Sequence, residues 1–255
     1  MRYDIITVPC LEDNYAYLVA DKQTRQAILI DAPEAAPINK ALKREKLTLT
    51  TLLLTHHHWD HVEGIDGLDK GDGFTIVGCA KDADRLPKLD QAVSPGDVMN
   101  ILGTSVQVMA ADGHTINHIA FYMPELTALF SGDSLMTHGC GRLFEGTPQQ
   151  MFETVQGFAA LPDNTKLYCG HNYADANLEF AAHCSPDPRA LSQRKHHLNT
   201  LADENWPTTG VTLALEKQIN PYLRTHLPQV KAAVGMPDAD DAAVFAEIRA
   251  RKDKF

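Results

Sequence analysis

The chain has 255 residues, 44 % of them hydrophobic, and a formal net charge of −10. That length allows one large domain or a large and a small one. The acidic balance argues against nonspecific attraction to nucleic acid or an anionic membrane, so any anionic ligand has to be met by a local cationic pocket. No apolar run approaches a bilayer-spanning length, and the start MRYDII lacks the long apolar stretch of a secretory signal, so a cytoplasmic protein is expected. Five cysteines, Cys10, Cys79, Cys140, Cys169 and Cys184, form no CxxC pair, which predicts reduced thiols.

In chain order, residues 5–8, 15–19, 27–30, 52–54, 74–78, 106–109, 119–122, 128–130 and 167–169 read as strands, several alternating apolar and polar side chains. Residues 33–46 read as a helix. So do 147–161, opened by Thr147, with Gln150 three residues on as the second half of a capping box and Pro148 at the first helical position. Strands in hairpin-like runs, then strands mixed with helices, suggest two packed sheets with helices outside. From Ala174 onward the pattern is mostly helical, punctuated by Pro186, Pro188, Pro207, Pro221, Pro228 and Pro237, so a domain change is placed near Asn172.

The chemistry concentrates after the run Thr51-Leu52-Leu53-Leu54, where Thr55-His56-His57-His58-Trp59-Asp60-His61 follows a buried strand. On an extended loop alternate side chains share a side, so His56 and His58 can meet one ion while His57 faces away. Asp60 and His61 follow after a turn and can serve a second ion. Imidazoles with a carboxylate suit zinc, iron or manganese rather than calcium or magnesium. Burying such a set without partners would cost several kcal/mol, so packing alone does not account for it. Further ligand candidates stand at other strand ends, each behind a glycine: His114, Asp133 and His171. A glycine there permits a sharp turn and a close approach. The other histidines, including His118 and His138, are read as ordinary surface or core residues.

These motifs resemble the metallo-β-lactamase superfamily, and within it the hydroxyacylglutathione hydrolases, glyoxalase II. Besides THHHWDH, the likeness rests on Asp13-Asn14-Tyr15, on 131–135 (SGDSL), on 139–147 (GCGRLFEGT), on 168–171 (YCGH) and on the basic end 249–253 (RARKD). The resemblance implies an α/β fold, an αββα sandwich over residues 1–171 followed by a small α-helical, glutathione-binding domain over 172–255. It implies two divalent metal ions per chain, zinc first with iron or manganese as alternatives. One would be held by His56, His58 and His114, the other by Asp60, His61 and His171, with Asp133 bridging. It implies a monomer that cleaves S-D-lactoylglutathione, or related S-2-hydroxyacylglutathiones, to D-lactate and glutathione, the second step of methylglyoxal detoxification. The nucleophile would be hydroxide held between the ions and oriented by Asp60. The lack of a GxSxG elbow agrees with attack by water. Glutathione would meet Arg142, Phe144, Tyr173, Arg249 and Lys252. By themselves the basic residues 249–254 read as a solvated helix end complementing the dipole, and it is the resemblance that favours binding.

Four positions depart from the common family pattern: Glu63 and Asn117 stand where glycine is usual, Asp112 where proline is, and Asn172 where glutamate is. None is an expected ligand. The alternative enzyme is a glutathione persulfide dioxygenase of the same superfamily. Those enzymes typically keep one metal, so Asp60 and His171 argue for the two-metal hydrolase. A metal buffer is the non-enzyme alternative. Structural zinc sites usually have closed, cysteine-rich shells, unlike this set.

Overall fold

The computed structural model describes residues 2–184, 188–204 and 206–255; Pro186 lies outside them. The chain divides into two compact units, one of Met1–Ala110 with Asn117–Gly132, the other of Ala111–Ile116 with Asp133–Phe255.

The first unit opens with an antiparallel meander, β1 (Tyr3–Cys10), β2 (Asn14–Asp21) and β3 (Gln26–Ile30). Helix α1 (Ala35–Glu45) then crosses over to β4 (Thr48–Leu53), which pairs with β3 in parallel. A one-turn helix α2 (Trp59–Val62), β5 (Lys70–Cys79) and β6 (Gln91–Val93) follow, completing a sheet of order β1-β2-β3-β4-β5-β6. The same unit holds β7 (Val98–Ile101), β8 (Thr104–Ala110), β9 (Ile119–Met123) and β10 (Ala128–Gly132), paired in succession and antiparallel.

Alternation in β2 assigns its two faces. Ala16 and Leu18 join Ile38, Ala41 and Leu42 of α1 in one core cluster. Tyr17 points the other way, its ring 5.6 Å from that of Phe130 in β10. Ile38, Ala41 and Leu42 are spaced i, i+3, i+4, so α1 buries one stripe against the sheet. The helix stops at Lys46 in a left-handed conformation, φ 54°.

The second unit carries a two-residue hairpin, β11 (Leu135–Met136) with β12 (Gly139–Cys140), then α3 (Pro148–Ala159), β13 (Lys166–Cys169), α4 (Ala174–Cys184), α5 (Pro188–Asp203), β14 (Val211–Thr212), α6 (Leu213–Ile219), α7 (Pro228–Ala233) and α8 (Asp241–Lys252). The capping box of α3 is complete: Gln150 N donates to Thr147 Oγ1 at 3.2 Å, and Thr147 N donates to Gln150 Oε1 at 2.9 Å. A buried polar network ties helices to the hairpin. Arg194 Nε donates to His138 Nε2 at 2.7 Å, and His138 Nδ1 stands 3.0 Å from Glu216 Oε1. Asn220 Nδ2 donates to Glu216 Oε2 at 2.9 Å and to Gly139 O at 3.0 Å. His138 is thereby a fully buried core residue, with Nε2 hydrogen-bonded and Nδ1 beside a carboxylate.

The nine expected strands fall within β1–β5, β8–β10 and β13, except that Leu54 lies one residue beyond β4. The two expected helices are α1 and α3, each shorter by one or two residues at either end. Strands β6, β7, β11, β12 and β14 were not anticipated. All have two to four residues, too few for a repeating pattern to emerge. No helix among the described residues is long and apolar enough to cross a membrane.

Candidate metal centre

The loop after β4 delivers the first donors. Thr55 is held by Asp31 at the end of β3: its N donates to Oδ1 and its Oγ1 to Oδ2, both at 2.8 Å. Thr55 Oγ1 also stands 3.0 Å from His56 Nδ1. Helix α2 then turns Asp60 and His61 inward. His61 Nδ1 lies 2.8 Å from Asp31 Oδ2, and a carboxylate can only accept, so Nδ1 carries the proton and Nε2 keeps its lone pair. Asn14 Nδ2 donates to Asp60 Oδ2 at 3.1 Å and to Asp60 O at 3.0 Å, which fixes that carboxylate. His57 turns to another partner, its Nδ1 3.0 Å from Asp82 Oδ2.

In the second unit, His114 Nδ1 donates to Arg142 O at 2.8 Å, so here too Nε2 is the available nitrogen. Asp133 Oδ2 stands 3.4 Å from His114 Nε2 and 3.1 Å from His171 Nε2. Two of the glycines singled out before ligands do adopt positive φ, Gly113 at 140° and Gly132 at 50°. A Cβ at Gly113 would come within 2.6 Å of Met151 Cβ, so close packing as well as backbone shape requires glycine.

Each unit gathers its own donors: in the first, the rings of His58 and His61 lie 4.7 and 4.2 Å from that of His56 and Asp60 Oδ2 is 3.9 Å from His61 Nε2, and in the second, His114 and His171 share Asp133. These are the seven expected ligands. His118 is fully buried with its ring stacked on that of His56 at 4.6 Å. With Nδ1 of His61 on a carboxylate and Nδ1 of His114 on a backbone carbonyl, and with Nε2 of His61, His114 and His171 beside aspartates, the donor set fits divalent metal, because cations offset repulsion among converging lone pairs.

Asp31 was missed by sequence reasoning. Its signal was an acidic residue immediately after the apolar strand 27–30, at the end of the sheet where ligands gather. It holds a left-handed conformation, φ 54°, and is 3 % exposed. Asn117, where glycine is usual, also takes a left-handed conformation, φ 65°, which asparagine tolerates better than most residues. Asn172 accepts from Thr208 Oγ1 at 2.6 Å.

The expected glutathione residues are placed unevenly. Arg142 is exposed, and Phe144 is exposed with its ring 5.2 Å from that of His114. Tyr173 stacks on His171 at 5.0 Å with planes 6° apart. Lys252 Nζ donates to Ala176 O at 2.9 Å and lies over the rings of Phe180 and Phe255, 5.2 and 5.0 Å away. Burial pushes its ammonium pKa down, and the positive charges of Arg249 and Arg142 push the same way, so three cations share one local field. Arg249 is not the solvated helix end that its charge alone suggests. It is 4 % exposed, and its guanidinium donates to Cys140 O at 2.8 Å and Asp253 Oδ1 at 2.8 Å.

Comparison with known proteins agrees with this architecture. The family model of the metallo-beta-lactamase superfamily matches residues 11–171, and that of the hydroxyacylglutathione hydrolase C-terminus matches 172–255. The chain is 49 % identical over 255 residues to a protein of Ruegeria pomeroyi and 46 % identical over 256 residues to one of Rhodobacter capsulatus, covering each completely; both are named hydroxyacylglutathione hydrolase. It is also similar to the crystal structure of ETHE1 from Myxococcus xanthus, with a TM-score of 0.65 and 25 % identity, covering 99 % of this chain and 98 % of that one. With a metallo-β-lactamase domain, a helical C-terminal domain and full-length relatives of that name, the chain belongs to the hydroxyacylglutathione hydrolase family of the metallo-β-lactamase superfamily.

Proposed function

We propose that this protein hydrolyses S-2-hydroxyacylglutathione thioesters, S-D-lactoylglutathione foremost, to the hydroxy acid and glutathione. The observation that carries the reading is the full-length identity of 46–49 % to proteins named for that activity. The dioxygenase alternative is not favoured by those same relatives. Residues 1–171 are proposed as the catalytic domain and 172–255 as the domain that helps hold glutathione.

In this reading His56, His58 and His114 would hold one ion and Asp60, His61 and His171 the other, with Asp133 as a ligand they would share. Zinc is the proposed metal, since imidazole and carboxylate donors suit it, with iron or manganese as alternatives. When bound, the ions supply an acidified water and polarise the thioester carbonyl. Asp60, fixed by Asn14, orients the attacking water. The departing thiolate needs no proton donor, because thiol pKa values near ~8.5 make it a good leaving group. Lys252 and Arg142 meet the carboxylates of glutathione, while the ring faces of Phe144 and Tyr173 flank the substrate beside His114 and His171. A monomer in the cytoplasm is proposed.

The test is thiol release from S-D-lactoylglutathione by metal-loaded protein, with oxygen uptake on glutathione persulfide measured in parallel. Thiol release without oxygen uptake is expected. Oxygen uptake on the persulfide with no thioester cleavage would replace this function with the dioxygenase one.

A further inference from the structure

The segment Cys140–Arg142 is gripped from both sides. From α8, Arg249 Nη1 donates to Cys140 O at 2.8 Å and to Gly141 O at 3.4 Å. One residue on, Arg142 O accepts from His114 Nδ1 at 2.8 Å. A carbonyl can only accept, so this bond dictates which nitrogen of His114 carries the proton and leaves Nε2 to face Asp133.

The segment has no room to shift. Gly141 N donates to Ser134 O at 2.9 Å, and a Cβ at position 141 would collide with the Asp133 carbonyl oxygen and lie 3.3 Å from His114 Nδ1. A displacement of the 140–142 backbone would therefore be felt directly at two expected ligands. Arg249 is the group that holds it from the helix side. Its guanidinium also donates to Asp253 and lies over the Tyr222 ring, 5.7 Å from the centroid. Burying a guanidinium is costly unless its donors are used, and here Nη1 reaches two successive carbonyls while Nη2 holds Asp253.

We propose that Arg249 is a positioning residue for His114, acting through the Cys140–Arg142 backbone to hold the imidazole in its metal-binding tautomer and orientation. Helix α8 is thus coupled to the metal centre by three consecutive carbonyls, and not only to glutathione. The inference rests on the metal-ligand role proposed for His114; its kinetic arm alone also needs the thioesterase reading.

The experiment compares zinc-loaded wild type, Arg249→Met and Lys252→Ala. Long-range 1H–15N correlation spectra, assigned with His114→Gln, report the His114 tautomer; chelator competition reports zinc retention; thioester turnover separates kcat from KM. Wild type should show a protected proton on His114 Nδ1. Arg249→Met, folded by circular dichroism, should lose that protection, surrender zinc at a chelator concentration about tenfold lower, and fall in kcat by about tenfold, the scale seen when partners of metal ligands are removed. Lys252→Ala should keep tautomer and zinc retention and raise KM. A wild-type proton on Nε2 would overturn the proposal whatever the variants do. So would an Arg249→Met protein with unchanged tautomer and zinc retention that merely raises KM, or one that fails to fold, since Arg249 would then be a substrate contact or a general core element. Absence of turnover in the wild type would sink the thioesterase reading while the tautomer and chelator arms still decide this one.

Discussion

His61 Nδ1 lies 2.8 Å from Asp31 Oδ2, and the same carboxylate accepts from Thr55 at 2.8 Å. One buried aspartate thus sets both the strand end that precedes His56 and the tautomer of His61. Asp31→Asn should lower zinc affinity by roughly 10–100-fold, because an amide cannot accept from both groups with the strength of a carboxylate. Competition with a chromophoric chelator checks it. Unchanged affinity would show that His61 is oriented without Asp31.

Asp133 Oδ2 stands 3.4 Å from His114 Nε2 and 3.1 Å from His171 Nε2, and in the proposed centre this carboxylate would serve both ions. Fully loaded wild type should contain about two metal equivalents by elemental analysis. Asp133→Ala should retain its fold but hold less metal and lose more than about 100-fold in kcat. Two retained equivalents with near-normal turnover would remove Asp133 from the centre.

If Lys252 meets a glutathione carboxylate away from the reacting carbonyl, its contacts should be alike in ground and transition states. Lys252→Ala should therefore raise KM for S-D-lactoylglutathione more than it lowers kcat, a loss of about 1–3 kcal/mol in kcat/KM. The variant should show no such penalty on a thioester lacking the glycine carboxylate. Equal losses on both substrates would refute carboxylate binding by Lys252.

The cysteines should be inert in the native state. Burial pushes the Cys10 thiol up to about 12 and the Cys184 thiol up to about 11, and raises Cys140 and Cys169 above the ordinary thiol value. A raised pKa keeps the thiol protonated at pH 8, and only the thiolate alkylates readily. Mass spectrometry after iodoacetamide treatment at pH 8 should find these four unmodified in folded protein and modified once it is denatured. Rapid native modification of Cys140 would contradict its burial beside Arg249.

Local information carried much of this protein. The His56–His61 run was legible because its donors are neighbours in the chain, and alternation along an extended segment follows from backbone geometry alone. The start of α3 was legible for the same reason, since Thr147, Pro148 and Gln150 form a cap within four residues. The ends of the longer strands could be marked, so His114, Asp133 and His171 stood out as candidates before any contact was known. Tertiary structure decided what depends on groups distant in sequence. Asp31 acts on a histidine 30 residues away, and no spacing rule connects them. Strands of two residues, such as β11 and β12, carry no period and exist because partners are brought alongside. Arg249 is the sharpest case. Its composition suggests a solvated basic helix end, yet Cys140 O, 109 residues earlier, and the Tyr222 ring enclose it. Charge alone cannot report burial, because burial is a property of what packs around a side chain, and that is set by the fold.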